Sequence, residues 1–268
     1  MTSLHRNQNC KFNTLEEYSR LEINDIAQSK QKSIKFIDLL SNGTIVVIRN
    51  LLNIDQTKHI IDYFQSSKAK KDFKFNHSPK VLEDTKNFSY TSNFINSSND
   101  KYTTVDNSFY IFPWNKDQSP ITNLVGDFYD DIISIQGYDP KKIYSNTPKD
   151  YVIQRVHLIH YPINTGQITT HTDPDDVCKL VCGIYLTEFN LDYTSGGFYV
   201  VNNSGERFHV DPLIKAGDAV LFYPTMPHGV WKIENNKVNE SQGRYFIDMK
   251  IVNSHEKKSR EFTKSFNN

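Results

Sequence analysis

The sequence predicts an α+β fold, mainly β in its C-terminal half, with helices ahead of a barrel or sandwich. Three observations carry this. From residue 151, strand-like runs follow one another: "YVIQRVHLIHY", "KLVCGIYLTEF", "GGFYVVN", "ERFHV", "DAVLFYP", "GVWKI" and "GRYFIDMKIV". Turn signals separate them: "PINTG", "DPDD", "DYTSGG", "NNSGE", "IKAGD", "TMPH" and "NNKVNESQ". Before residue 150, apolar residues recur at helical spacing. An aromatic content of 13% suits a β-rich core rather than a disordered chain.

No linker divides the 268 residues, so one domain is expected over 1–268. Residues 1–150 read as helical support with a long polar loop at 68–107, 151–252 as the β core, and 253–268 as a charged tail. Residues 1–13 are a polar end. In "NTLEEYSRLEINDIAQSKQKSIKFIDLLSNG", Leu15, Tyr18, Leu21 and Ile26 have helical spacing, with Thr14 as N-cap, Glu17 three residues on, and Gly43 as the stop. "TIVVIRNLL" is a buried strand, and "NIDQTKHIIDYFQSS" an amphipathic helix with Ile60, Ile61 and Phe64 on one side. The polar 68–107 stretch carries a short strand near "NFSYTSNF" and otherwise suits a lid. "SFYIFPW" is an aromatic strand, and "ITNLVGDFYDDIISIQGY" a helix with Leu124, Phe128 and Ile132 in line.

Charge narrows the partners. With 31 basic and 31 acidic residues the net charge is zero, which argues against binding a nucleic-acid backbone through bulk charge. The polar first residues show no apolar signal region, and no run reaches the length of a membrane span. No membrane association is expected, and the cytoplasm is the default compartment. No heptad seam marks an oligomer interface. Of the three cysteines, Cys178 and Cys182 could form half a zinc site, but no second pair accompanies them, and reduced thiols are expected.

"ITTHTDPDD" places His171 and Asp173 two apart. In extended backbone, side chains at i and i+2 point to one side, so an imidazole and a carboxylate can grip the same cation. "FYPTMPHGVWKI" offers His228 from another strand. Two His and one carboxylate on one side of a cation leave the other side open, an arrangement suited to Fe(II) that must also bind a co-substrate and oxygen. The plain alternative is a surface pair in a turn and a packed histidine. On "YVIQRVHLIHY", Arg155, His157 and Tyr161 share one face; Gln154 and His160 lie on the other. Arg155 is a candidate for holding an anionic substrate group, or else one half of a structural ion pair. Trp231 either lines the mouth near His228 or is core. Asp175 and Asp176 sit in the turn beside the ligands, where acids commonly cap loops.

In order, "HYPINTGQITTHTD", "IYLTEFNLDYTSGGFYVV", "IKAGDAVLFYPTMPHGV" and "GRYFIDMKI" resemble the core of the Fe(II)/2-oxoglutarate-dependent oxygenases, and within them the prolyl-hydroxylase-like members. The resemblance runs from Tyr161 to Arg244. It implies a double-stranded β-helix, the jelly-roll architecture also called cupin-like. It implies Fe(II) on His171, Asp173 and His228, and 2-oxoglutarate as co-substrate, its distal carboxylate on Arg244 with the Tyr161 hydroxyl alongside. Molecular oxygen is the second co-substrate, and ascorbate a further cofactor the resemblance admits. It implies hydroxylation of an unactivated C–H of an amino acid, peptidyl residue or small metabolite, with succinate and carbon dioxide as co-products. Asp173 stands where the related halogenases lack a carboxylate. Arg244 lies 16 residues beyond His228, farther than in many members, with "ENNKVNESQ" as the intervening loop and Lys232 and Lys237 as fallbacks. The rival readings are a cupin-like metal enzyme that does not use 2-oxoglutarate and a non-catalytic binding barrel.

Overall fold

A computed structural model describes residues 10–68, 72–73, 86–94, 103–115, 120–236 and 243–254. The turn residues of the C-terminal half cut it into eight strands: β6 (Val152–Tyr161), β7 (Gln167–His171), β8 (Val181–Tyr185), β9 (Ser195–Val201), β10 (Arg207–His209), β11 (Ala219–Phe222), β12 (His228–Glu234) and β13 (Arg244–Asn253). Apart from the β9-β10 hairpin, successive strands alternate between two faces. One face runs β11-β8-β13-β6 and the other β7-β12-β9-β10, every neighbouring pair antiparallel. This is a double-stranded β-helix, as expected.

The N-terminal half contributes more than helices. Its strands are β1 (Thr14–Tyr18), β2 (Thr44–Ile48), β3 (Asp72–Phe73), β4 (Phe88–Phe94) and β5 (Thr104–Ile111). β2 joins the first face beside β11 and carries β1 in parallel at the edge. β5 pairs with β6 over Asn107–Ile111 and reaches β7 through Thr104 and Val105, so it closes one side of the barrel across both faces. β4 pairs with β5. The split at residue 150 between helical support and β core is therefore too sharp.

Among the described residues five α-helices flank the sheet: α1 (Arg20–Ala27), α2 (Lys30–Ser41), α3 (Ile54–Lys68), α4 (Pro120–Ile135) and α5 (Pro140–Ser145). α4 buries Ile121, Val125, Phe128, Ile132 and Ile133, and Arg20 of α1 pairs with Asp131 on it. β2, buried at all five positions, is an uninterrupted β-branched run. One hydrophobic cluster spans both halves of the chain.

Three expectations need correction. Thr14–Tyr18 is strand, not the start of a helix: the three-residue spacing of Leu15 and Tyr18 is helical, and pairing with buried β2 overrides it. The helix starts at Ser19, whose hydroxyl oxygen accepts from the Glu22 N–H at 3.2 Å while Glu22 Oε2 accepts from the Ser19 N–H at 2.7 Å. Gly43 ends α2 as expected, at φ 96°, where a Cβ would stand 2.0 Å from the Lys11 carbonyl oxygen. Residues 68–107 are not one long loop: β4 and the first residues of β5 lie within them, and Thr104–Asn107 are buried. The lid expected there falls mostly on residues 69–71, 74–85 and 95–102, outside the described residues. β13 runs to Asn253, one residue into the expected tail, whose residues 255–268 lie outside the described residues too. Among the described residues no helix is long and apolar enough to cross a membrane.

Ser19→Ala removes a cap bond and should lower stability by about 1 kcal/mol. Thr14→Ala should leave it nearly unchanged. Urea midpoints at constant slope compare the two.

Candidate metal and co-substrate site

His171 ends β7 and His228 begins β12, and the two are paired residues of that ladder. Their ring centroids lie 4.4 Å apart. His171 Nδ1–H donates to the Thr169 carbonyl at 2.9 Å, and His228 Nδ1–H to the Met226 carbonyl at 2.8 Å. Each bond places the proton on Nδ1 and leaves Nε2 as the lone-pair nitrogen. Burial lowers the His228 pKa to about 3, with His171 adding to the effect, and burial also lowers that of His171. Both rings are neutral donors near neutral pH.

Asp173 follows two residues after His171, its backbone N–H tied to the Pro224 carbonyl at 2.9 Å. Its Oδ2 lies 3.8 Å from His228 Nε2 and accepts from Lys250 Nζ at 2.7 Å. Burial alone would raise the pKa of this carboxyl, but Lys250, then His228 and His171, hold it well below the usual carboxylate range. Among the described residues no group of three His, Cys, Asp or Glu side chains is placed so that it could hold a metal ion; the Asp173 oxygen nearest His228 is engaged by the Lys250 ammonium. In kind, though not in placement, the donors are those a ferrous ion takes: two neutral imidazoles with lone pairs on Nε2 and one ionised carboxylate, from β7, β12 and the turn after β7.

These side chains line a cavity of about 510 Å³ that also holds Arg244, Tyr161 and Tyr185. Arg244 begins β13 and is 2% exposed. Its Nε donates to Asp211 Oδ2 at 2.8 Å and its Nη2 to Asp211 Oδ1 at 3.3 Å. The Tyr185 and Tyr193 hydroxyls donate to the same carboxylate at 2.8 and 2.5 Å. Gly197, at φ 109°, makes room: a Cβ there would lie 2.3 Å from Asp211 Oδ2. Burial would lower the Arg244 pKa, but Asp211 outweighs it and holds the guanidinium charged. Arg244 Nη1 is buried and has no hydrogen-bond partner. A buried charged donor left unmade is costly, and a ligand carboxylate in this cavity would relieve it. The guanidinium carbon sits 4.7 Å from the Tyr185 ring and 6.0 Å from the Tyr161 ring.

Two solved structures are similar to the chain at 14% identity. One is a prolyl-4-hydroxylase from Pseudomonas putida, with a TM-score of 0.53 over 82% of this chain and 98% of that one. The other is a prolyl hydroxylase from Trichoplax adhaerens in complex with a hypoxia inducible factor oxygen degradation domain peptide fragment, with a TM-score of 0.52 over 87% of this chain and 93% of that one. The chain has the fold of a prolyl hydroxylase. No protein-family model matches its sequence, and no curated protein matches it either.

On this prolyl-hydroxylase fold, His171, Asp173, His228, Arg244, Tyr161 and Arg155 all come to one cavity. Trp231 does not. It faces outward on β12, stacked on Tyr199 at 4.4 Å and against His209 at 5.2 Å, because period two puts it opposite His228 and Val230. Lys232 pairs with Glu234 at 2.9 Å on the surface, and Lys237 is outside the described residues. Asp175 accepts from Tyr223 at 3.1 Å and Asp176 from Asn253 at 2.6 Å, as loop-holding acids do. Cys178 and Cys182 are buried thiols, and burial pushes Cys178 to about 12. Three cavity residues carry no sequence signal of their own, Tyr185, Asp248 and Lys250, and neither does Asp211, which holds Arg244 from outside the cavity lining. Counting by two from Arg244 along "RYFIDMKIV" reaches Asp248 and Lys250; nothing local marks Asp211, 33 residues before Arg244.

Asp211→Asn leaves the Arg244 charge uncompensated in the core and should destabilise the fold by about 3–5 kcal/mol. Glu17→Gln, which breaks the exposed pair with Arg49, should leave stability nearly unchanged. Chemical denaturation distinguishes the two; equal small effects would show that Asp211 is not needed to compensate Arg244.

Proposed function

We propose that the chain is a non-haem Fe(II)- and 2-oxoglutarate-dependent oxygenase. It hydroxylates an unactivated C–H of an amino acid, peptidyl residue or small metabolite and forms succinate and carbon dioxide. One observation carries the reading: a buried guanidinium with an unpartnered Nη1 shares a cavity with two neutral imidazoles and a carboxylate held ionised. A metal site alone would need no such cation, so Arg244 favours 2-oxoglutarate over a cupin-like enzyme that works without it. The fold shared with prolyl hydroxylases supports the same class.

His171 Nε2, His228 Nε2 and a carboxylate oxygen of Asp173 would hold the iron. When bound, the ferrous ion supplies oxygen activation, which no side chain here can. Arg244, with Tyr161 alongside, binds the distal carboxylate of 2-oxoglutarate, and Asp211 keeps the guanidinium aimed. Lys250 keeps Asp173 ionised and so competent as a ligand. Phe222 and Phe198, with centroids 4.9 and 5.9 Å from the His228 ring, exclude water from that side. Arg155 faces the same space and takes a charged substrate group.

With Fe(II), ascorbate and air, the purified protein should convert 2-oxoglutarate to succinate, measured by mass spectrometry. Arg244→Met should raise the KM for 2-oxoglutarate about 30-fold or more, since a buried charge pair is lost. His171→Ala and His228→Ala should abolish turnover. Succinate formation that survives both histidine variants would rule this reading out.

A further inference from the structure

The metal ligands and Arg244 do not account for all the polar groups in the cavity. Asp248, 5% exposed on β13, shares its Oδ2 with Lys250 Nζ at 3.1 Å, while its Oδ1 has no hydrogen-bond partner. One ammonium cannot satisfy both oxygens. Directly across the ladder on β6 stands His157. Its Nε2 lies 2.8 Å from Ser108 Oγ, and the Ser108 hydroxyl donates to Asp106 Oδ1 at 2.5 Å. Because the serine proton goes to the carboxylate, the His157 proton sits on Nε2, and Nδ1 is an acceptor. Tyr110 stacks on this ring at 4.1 Å and fixes its plane. Two acceptors thus stand on facing positions of one cavity wall. One pair farther along, Lys250 faces Arg155, whose guanidinium carbon lies 5.0 Å from the Tyr110 ring centroid.

We propose, on the basis of the oxygenase reading above, that this wall selects a free α-amino acid. Asp248 Oδ1 and His157 Nδ1 accept from its ammonium, and Arg155 pairs with its carboxylate. Asp248 and Arg155 are diagonal neighbours across β13 and β6 and line the same cavity, so the adjacent ammonium and carboxylate of one α-amino acid can meet both. A peptidyl residue brings neither charge and would leave the Asp248 oxygen unpaired. An anion without an amine would face that carboxylate at close range. Lys250 pairs with Asp173 and Asp248, and Arg155, the next cation along this wall, is placed to meet the carboxylate.

The test uses the full chain loaded with Mn(II) in place of iron and with 2-oxoglutarate, so that no turnover occurs. Binding of 2-oxoglutarate is titrated first by calorimetry. A panel of proteinogenic and non-proteinogenic L-amino acids follows, each beside its N-acetyl derivative and its decarboxylated amine. At least one free amino acid should bind, and either modification should weaken it about 30-fold or more, the effect of unpairing a buried charge. Arg155→Met should erase the preference over the amine and keep the preference over the N-acetyl form; Asp248→Asn should do the reverse. General misfolding cannot produce that crossed pattern. Normal 2-oxoglutarate binding with no amino acid bound, or with N-acetyl forms bound equally well, overturns this inference and leaves the oxygenase reading standing. Absence of 2-oxoglutarate binding overturns both.

Discussion

The site depends on the register between β6 and β13. Ten consecutive residue pairs, from Arg244 with Tyr161 to Asn253 with Val152, lock these strands together. Side chains alternate sides along a strand, so one choice of register sends Arg244, Phe246, Asp248 and Lys250 into the same cavity as Tyr161, Ile159, His157 and Arg155. A slip of one residue would turn either set outward. The outward residues hold the register: Tyr245 stacks on His160 at 4.1 Å and meets Phe64 of α3 at 5.6 Å, while Ile247 and Met249 are buried in the core. The helices matter to the site through this wedge, since they fix which side of β13 faces His171, Asp173 and His228.

Charge is the second constraint. The cavity wall carries Arg244, Lys250, Asp173 and Asp248, with Asp211 paired to Arg244 behind it, all largely withdrawn from water. Burying ions is expensive, and apolar residues of similar volume often serve stability as well or better. Asp211 is compensated by three donors, the Arg244 guanidinium and two tyrosine hydroxyls, and it fixes the guanidinium in turn. Lys250 bridges the carboxylates of Asp173 and Asp248. Among what remains over are Arg244 Nη1 and Asp248 Oδ1, each a buried atom without a hydrogen-bond partner on a residue that lines the cavity. Such remainders are hard to explain as stability devices and easy to explain as positions for ligand groups.

Much of this was legible in the chain. His171, Asp173 and His228 could be brought together on paper because period two and a strand-opening histidine are local signals, and Arg244 followed from the motif order. The strands after residue 151 were plain from their β-branched and aromatic runs. What was not legible is non-local. Thr14–Tyr18 has helical spacing by coincidence and becomes strand only because β2 offers an edge. The closure of the barrel by β5 depends on pairing with β6 and β7 across some 50 residues or more. Trp231 was placed at the mouth by nearness in sequence to His228, although its odd offset sends it to the other face. Asp211 sits in an ordinary "VDPL" turn, and only the packing of Gly197 and two tyrosines against it reveals its role.

The most direct test of the account is a crystal structure of the protein grown anaerobically with Mn(II) and 2-oxoglutarate. The ion should sit on His171 Nε2, His228 Nε2 and the Asp173 carboxylate, with the distal carboxylate of 2-oxoglutarate against Arg244 Nη1. An ion bound elsewhere, or Lys250 still holding Asp173 with no density between the imidazoles, would contradict it.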